Sequence, residues 1–144
     1  MSPKKQSDPS KEYWPAVKAF IVDNNRILII KRTMNDVDKP GVWEMPGGRL
    51  EPNENPIKGL IREVKEEVNL DIEVIKLFSV RRFTRDDKQK IEMSIYLCKS
   101  KNKDVKLSEE HSNFEWIDIE KAKTKLTDFF HKEVDIYLNQ INQK

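Results

Sequence analysis

The sequence predicts one domain with a mixed α/β sandwich fold, and three observations lead to this prediction. Apolar segments at residues 14–22 and 26–32 indicate one pair of strands, and those at 72–84 and 90–99 indicate a second pair. Between the pairs, apolar residues recur at helical spacing from 57 to 68. A further strand and helix follow near the C-terminus. The order strands, helix, strands, helix is typical of a β-sheet flanked by helices.

The composition restricts the class of protein. The chain has 144 residues, within the range of about 100–200 for one domain. Its 27 basic and 25 acidic residues leave a net charge of +2, which argues against a dedicated nucleic-acid-binding domain. A single cysteine excludes an internal disulfide and fits a reducing compartment. No apolar run approaches the roughly 18 residues that span a bilayer, and the first residues lack the apolar region of a secretory signal. We therefore expect a cytoplasmic protein with a flexible tail at 1–10 and a domain at 11–144.

The first two strands are expected to form a hairpin. They are joined by Asp23, Asn24 and Asn25, and asparagine tolerates the left-handed backbone of tight turns. The second strand carries four consecutive apolar residues at 27–30, which indicates a central strand buried on both faces. A polar loop is predicted at 33–40.

The central helix has signals at both ends. Asn55 is a candidate N-cap, and Pro56 suits the first helical position. Asn69 can adopt the left-handed conformation that ends a helix. The apolar stripe between them comprises Ile57, Leu60, Ile61, Val64 and Val68.

The second half of the chain continues with a hairpin whose turn lies at 85–88. Its second strand alternates apolar and polar residues and should be half-buried, with the apolar set Ile91, Met93, Ile95 and Leu97. A short strand is expected at 114–117. Asp118 and Thr127 are candidate caps for a brief helix and a final one. The final helix would bury a stripe of Phe130, Val134, Tyr137 or Leu138, and Ile141.

Glycine usage gives the first indication of function. The chain has only four glycines, and three of them, Gly41, Gly47 and Gly48, fall within eight positions. Such a concentration indicates a positive φ angle or the close approach of another group to the backbone.

The helix after these glycines carries a carboxylate face. Glu63, Glu66 and Glu67 are spaced i, i+3 and i+4, so they project in one direction. Like charges one turn apart repel by roughly 0.2–0.5 kcal/mol, and a solvated acidic surface is the common outcome of such a run. The alternative is a metal site, because Glu51, Glu54 and the glycines immediately precede the helix, and oxygen ligands suit Mg²⁺.

The spacing of the whole segment favours the metal site. Gly48 is followed after five residues by Glu54 and after seven more by the run Arg62-Glu63-Val64-Lys65-Glu66-Glu67-Val68-Asn69-Leu70. This arrangement resembles the 23-residue signature of the Nudix hydrolases, and the lead-in at 40–47 is also similar to that family. Asn69 stands where the family usually has glycine, and asparagine is the next-best residue for a left-handed cap. With the order of strands and helices, the resemblance covers residues 13–138.

The resemblance implies a Nudix α/β/α sandwich, a mixed β-sheet flanked by helices, and a pyrophosphohydrolase that depends on Mg²⁺ or Mn²⁺. By analogy with the family, Glu63 and Glu67 are the core metal ligands, Glu66 assists, and the Gly47 carbonyl adds a ligand. Glu66, Glu67 and Arg62 would belong to the catalytic set. In that set Arg62 holds the glutamate face in position. Gly48, Glu54 and Asn69 would support the signature structurally.

An acidic residue outside the signature is a candidate for a further metal ligand or the general base, and a glutamate of the signature face is an alternative base. Similar loops in the family return an acidic residue to the metal site, and Glu110 stands at the matching distance before Trp116. A solvated loop glutamate is the alternative, and Glu92 on its strand is the second candidate. His111 is expected to be a hydrogen-bonding loop residue.

Three arginines near the second hairpin are candidates for binding substrate phosphates. Arg81, Arg82 and Arg85 lie close together in the sequence, and a guanidinium can bind phosphate oxygens with two hydrogen bonds. A solvated hairpin surface is the alternative.

The resemblance implies a small-molecule nucleotide substrate, a nucleoside diphosphate linked to a group X, and leaves X open. The short chain favours a nucleoside triphosphate, ordinary or oxidised, cleaved to a nucleoside monophosphate and pyrophosphate. ADP-ribose, dinucleoside polyphosphates and dinucleotide coenzymes remain alternatives. A non-hydrolytic sensor domain would be expected to lose signature carboxylates, and none is lost. We expect neither a nucleic acid nor a membrane partner, and we leave monomer and homodimer open.

Overall fold

A computed structural model describes residues 12–143, so the tail predicted at 1–10 lies outside the described residues. The elements, in chain order, are β1 (Trp14–Asp23), β2 (Arg26–Arg32), β3 (Trp43–Glu44), β4 (Gly47–Arg49), α1 (Pro56–Val68), β5 (Ile72–Thr84), β6 (Lys90–Ser100), β7 (His111–Asp118) and α2 (His131–Asn142), with short 3₁₀ helices at Ile119–Thr124 and Asp128–Phe130. The strands form a mixed sheet in the order β3-β2-β1-β6-β5, with β4 added to β1 and β7 added to β2.

The two predicted hairpins are confirmed. β1 and β2 pair antiparallel around a turn in which Asn24 and Asn25 have φ angles of 50° and 62°. The residues at 27–30 are completely buried, as expected of a central strand. β5 and β6 form the second antiparallel pair, and β6 lies parallel to β1 from the pair Trp14↔Ile91 onward. This parallel pairing joins the two hairpins into one sheet.

Two apolar clusters on opposite faces of the sheet form the core. On β1, Val17, Ala19 and Ile21 pack with the buried face of α1. Ala16 and Phe20, which alternate with them, pack in the cluster that contains Phe130 and Val134 of the C-terminal segment. The period-2 alternation of β1 therefore supplies both clusters. This arrangement is the α/β/α sandwich that the sequence predicts.

Helix α1 has both predicted caps. The Asn55 side chain accepts a hydrogen bond from the Lys58 N–H at 3.0 Å. Asn69 has a φ angle of 63°, and its N–H donates to the Lys65 carbonyl at 3.0 Å. The predicted stripe is only partly buried, because Ile57 and Ile61 are 44% and 39% exposed. The face against the sheet is centred on Leu60, Val64, Glu67 and Val68, so Ile57 and Ile61 lie at its edge.

In the C-terminal part of the chain, the strand and the final helix begin at residues other than those predicted. β7 begins at His111 rather than at 114, because residues 111–118 pair with the full length of β2. Asp118 caps its short 3₁₀ helix by accepting from the Glu120 N–H at 3.4 Å. Thr127 precedes a 3₁₀ turn without a capping hydrogen bond from its side chain, and α2 starts only at His131. The two- and three-residue strands β3 and β4 have no periodicity that predicts them.

Candidate functional site

Strand β4 contains two adjacent glycines at which an added Cβ atom would meet close neighbours. Gly47 has a φ angle of 140°, and a Cβ atom there would lie 2.1 Å from the Val17 carbonyl oxygen. A Cβ atom on Gly48 would lie 2.8 Å from Oε1 of Glu63. The first glycine lets β4 pair closely with β1, and the second lets helix α1 bring its carboxylates against β4. These contacts explain why the glycines cluster in the sequence.

Glu67 is the most enclosed carboxylate of the helix. Its Oε1 accepts a hydrogen bond from the Gly47 N–H at 2.9 Å, and the residue is only 8% exposed. Burial raises the pKa of Glu67 to about 7, although the nearby charge of Lys18 opposes this shift. The face that bears Glu67 is therefore not simply a solvated acidic surface.

Arg62 joins three carboxylates at the outer side of the same helix. Its Nη2 donates to Oε2 of Glu54 at 2.8 Å. Its Nη1 donates to Oε2 of Glu63 and to Oε1 of Glu66, both at 3.2 Å. This hydrogen bonding lowers the pKa of Glu54, whereas burial raises the pKa of Glu63 despite the charge of Arg62. The guanidinium thus fixes the relative positions of Glu54, Glu63 and Glu66.

The loop before β7 brings Glu110 to this helix. The Ser108 N–H donates to the Glu67 carbonyl oxygen at 3.0 Å, and the Thr33 N–H donates to the Glu110 carbonyl oxygen at 3.1 Å. The loop is therefore fixed on both sides, to the end of α1 and to the loop after β2. A groove of about 550 Å³ lies between helix and loop, lined by Glu63, Glu66, Glu67, Ser108, Glu109 and Glu110.

The chemistry of this groove fits a hard divalent cation. Its five carboxylates are oxygen donors of the kind that Mg²⁺ and Mn²⁺ prefer. Among residues 12–143 the Gly47 N–H is the one donor to the Glu67 carboxylate, so a cation would compensate its charge when it is ionised. In residues 12–143, however, no three His, Cys, Asp or Glu side chains converge closely enough to hold an ion as they stand. The Glu66 side chain is 60% exposed, lines the groove and is held by Arg62.

A buried polar network of Lys18, Arg32, Glu44 and His111 lies close to Glu67, and no local sequence pattern predicts its pairing. Both carboxylate oxygens of Glu44 are used. Oε1 lies 3.3 Å from Nζ of Lys18, and Oε2 lies 2.8 Å from both Nη1 of Arg32 and Nε2 of His111. Burial would raise the pKa of Glu44, but the charge of Lys18, the hydrogen bond from His111 and the charge of Arg32 together lower it to about 2. His111 is hydrogen-bonded, as expected, but it is the buried first residue of β7 and not a loop residue.

One feature of the sequence does point to this network, because charged residues stand within apolar strand segments. Lys18 interrupts the apolar run of β1, and Glu44 lies between Trp43 and Met45. Their pairing depends on strands that are 26 residues apart in the sequence, so no local pattern predicts it.

The structure does not bring the three candidate phosphate-binding arginines together. Arg81 pairs with the buried carboxylate of Glu133 on α2 at 3.0 Å, and Arg85 pairs with Asp38 at 3.5 Å. Arg82 pairs across the strands with Glu92 at 2.8 Å. The expected cluster is therefore not formed, and Glu92, the second candidate for the base, is held by an arginine and does not line the groove.

The comparisons with known proteins agree with this geometry. A family model described as NUDIX domain matches residues 12–138. The chain belongs to the Nudix family. This family consists of hydrolases that act on the pyrophosphate bonds of nucleotides, and the chain is an enzyme of that kind.

Individual Nudix relatives extend over most of the chain. The nucleoside triphosphatase NudI of Klebsiella pneumoniae is 36% identical over 114 residues, which cover 72% of this chain and 81% of the relative. A MutT-like protein of Streptomyces ambofaciens is 27% identical over 128 residues, 89% of this chain and 78% of the relative. A crystal structure of the MutT protein from Methanosarcina mazei Go1 superimposes with a TM-score of 0.79 at 27% identity, covering 92% of this chain and 96% of that one.

Membership in the Nudix family confirms the resemblance found in the sequence. The signature segment, residues 48–70, runs from β4 through α1 and forms one wall of the groove. Among residues 12–143, no helix has the length and apolar character needed to cross a membrane.

Proposed function

We propose that the protein is a Mg²⁺- or Mn²⁺-dependent pyrophosphohydrolase that cleaves a nucleoside triphosphate to a nucleoside monophosphate and pyrophosphate. The observation that carries this proposal is the groove between α1 and the Glu110 loop, where five carboxylates face one space. A triphosphate is highly anionic, so it cannot approach these carboxylates unless cations neutralise the charge. The donor set therefore supports both the metal and the anionic substrate.

The proposed roles of the residues follow from their positions. Glu63 and Glu67, with assistance from Glu66 and the Gly47 carbonyl, would hold the cation. A divalent cation supplies charge neutralisation of the phosphates and lowers the pKa of a bound water. Arg62 keeps Glu63 and Glu66 on the groove side of the helix through hydrogen bonds of 3.2 Å.

Glu110 is proposed as the general base. As the water oxygen attacks phosphorus and the bridging P–O bond breaks, the proton of the water passes to the Glu110 carboxylate. The side chain is exposed, lines the groove opposite α1, and is held by the backbone contacts of its loop. A general base must lie within reach of the water that it deprotonates, and the position of Glu110 on the groove supports this proposed role.

The choice of substrate rests on a relative and on size. The NudI relative is named a nucleoside triphosphatase and is 36% identical over 114 residues. A length of 144 residues also suits a small substrate. We therefore propose ordinary or oxidised nucleoside triphosphates as the substrates, in preference to ADP-ribose or dinucleotides.

A substrate panel tests the proposal. Purified protein with Mg²⁺ is incubated with the ordinary nucleoside triphosphates, an 8-oxo-purine triphosphate, ADP-ribose and a dinucleoside polyphosphate, and the products are separated by ion exchange. We expect monophosphate and pyrophosphate from at least one triphosphate, at a kcat/KM above that for ADP-ribose and the dinucleotide. Exclusive cleavage of ADP-ribose or the dinucleotide would contradict the substrate class, and phosphate release one group at a time would contradict the reaction.

A further inference from the structure

Lys18 is a buried lysine in the middle of the apolar strand β1. Its neighbours on the same strand face, Ala16 and Phe20, belong to the apolar core, whereas Lys18 itself is only 7% exposed. A buried ammonium group is stable only when its donors are satisfied, and an apolar side chain would cost less at such a position. The position therefore calls for a specific explanation.

The contacts of Lys18 supply one. Its Nζ donates to the Met45 carbonyl at 3.0 Å, to the Gly47 carbonyl at 3.3 Å and to Oε1 of Glu44 at 3.3 Å. An ammonium group has three donors, so all of them are used within the segment from Glu44 to Gly47. No donor is left for a substrate, and Lys18 acts only through the backbone and the carboxylate that it holds.

Both backbone polar groups of Gly47, which belong to the two peptide units on either side of its Cα atom, are hydrogen-bonded to side chains. Its N–H donates to Glu67 at 2.9 Å, and its carbonyl accepts from Lys18 at 3.3 Å. Lys18 and Gly47 are also directly paired in the β1–β4 register. Because a glycine with a φ angle of 140° has no side chain to restrain it, these hydrogen bonds fix its orientation.

We propose that Lys18 is a positioning residue for the hydrolytic site, which holds the Met45 and Gly47 carbonyls so that the Gly47 N–H between them stays directed at Glu67. This inference rests on the proposed function, in which Gly47 and Glu67 take part. Glu44 neutralises the lysine, and through His111 it extends the same network to the loop of Glu110. The network thus connects the Gly47 segment to the residue that follows Glu110.

Amide hydrogen exchange in metal-free protein tests the orientation directly. In Lys18→Met, we expect the Gly47 amide, which donates to Glu67, to exchange about 10-fold faster or more. The reason is that the Met45 and Gly47 carbonyls on either side of it lose their hydrogen bonds from Lys18, so this segment opens more readily. The Leu50 amide, bonded to the Pro15 carbonyl at 3.0 Å beyond the same strand, is the internal reference for general loosening. Arg32→Met is the matched control, because it removes another cation from Glu44 and touches neither carbonyl. Equal acceleration at Leu50, or in Arg32→Met, would overturn the inference.

A kinetic cycle separates positioning from a general structural effect. We expect Lys18→Met to lower kcat by about 10–100-fold with little change in KM, the usual effect of removing a partner that orients a ligating group. In a Glu67→Gln background the same substitution should cost little more, because both act through the Gly47–Glu67 contact. If the two substitutions lower kcat independently, so that the loss in the double variant is the product of the two single losses, the inference is contradicted.

The tests must also allow for a Lys18→Met variant that does not fold and for a wild-type protein that is inactive. If Lys18→Met does not fold, Lys18→Met/Glu44→Gln removes both members of the buried ion pair, and we expect the same selective exchange at Gly47. Slow Gly47 exchange in that folded variant would overturn the inference. A wild-type protein without pyrophosphohydrolase activity would contradict the proposed function, whereas an active wild type with an equally active Lys18→Met would contradict the inference alone.

Discussion

Gly47 and Gly48 are adjacent, yet the structure requires each glycine for a different reason. At Gly47 a Cβ atom would meet the Val17 carbonyl oxygen at 2.1 Å, and backbone there cannot move without breaking the β1–β4 pairing. At Gly48 it would meet only the end of the Glu63 side chain, at 2.8 Å, which can rotate away. Glycine at position 47 is therefore needed for folding, and glycine at position 48 is needed to place the Glu63 carboxylate.

Alanine substitutions separate these two roles. We expect Gly47→Ala to destabilise the protein by more than about 2 kcal/mol, because it combines a backbone clash with an unfavourable φ angle. Gly48→Ala should cost less than about 1 kcal/mol of stability but reduce turnover, because Glu63 is displaced. Chemical denaturation and steady-state kinetics measure the two effects. Equal stability losses would show that the glycines are equivalent.

The pKa of Glu67 predicts a pH dependence of stability. Burial raises this pKa from its usual 4.5 to about 7, so the folded protein retains a proton that the unfolded chain releases between these values. The wild type should therefore lose up to about 3 kcal/mol of unfolding free energy as the pH rises from 4.5 to 7, relative to Glu67→Gln.

Urea denaturation of both proteins in EDTA, at pH values from 4 to 8, measures this difference. Other titrating groups cancel, because the two proteins share them. A difference that is constant with pH would show that Glu67 ionises normally.

The helix α1 shows at the scale of an element what the sequence predicts well. Its caps at Asn55 and Asn69 and its glutamate face depend on local spacing, and local spacing was sufficient to predict them. Its packing was less predictable. Glu67 is buried and Ile61 is 39% exposed because β4 and the Ser108 loop cover one side of the helix and leave the other open.

Asn69 offers a test of the helix terminus. With a φ angle of 63°, Asn69→Gly should change stability by only a few tenths of a kcal/mol, whereas Asn69→Val should cost about 1–2 kcal/mol because a β-branched residue resists this conformation. Melting temperatures compare the two. Equal values would show that the left-handed cap contributes nothing.

The loop of Glu110 provides the other test at this scale. If Glu110 is the base, Glu110→Gln should reduce kcat by roughly 10²–10⁴-fold and leave substrate affinity unchanged. Glu109→Gln is the matched control, because Glu109 is also exposed and lines the same groove. Stopped-assay kinetics at saturating Mg²⁺ measure both. Wild-type turnover in Glu110→Gln would contradict the assignment of Glu110 as the base and would favour a glutamate of α1 in that role.

At the scale of the whole molecule, the site depends on contacts between distant segments. The groove is formed by α1 and the loop before β7. The Lys18–Glu44–His111 network joins β1, β3 and β7. The sequence predicted the signature wall, because its residues lie within 23 positions. It did not predict the Lys18–Glu44–His111 network or the dispersal of the arginines, because these depend on strand order and on long-range ion pairs.

The central claim is that the α1 carboxylates hold a catalytic cation. The measurement that tests it most directly is the rate of nucleoside triphosphate hydrolysis during a Mg²⁺ titration, after removal of bound metal with EDTA. We expect no turnover in EDTA, recovery with Mg²⁺, and at least about 10²-fold slower turnover with weaker Mg²⁺ dependence in Glu67→Gln. Glu73→Gln, an exposed glutamate on β5, is the control and should behave as wild type. Full turnover in EDTA, or an unchanged titration in Glu67→Gln, would contradict the claim.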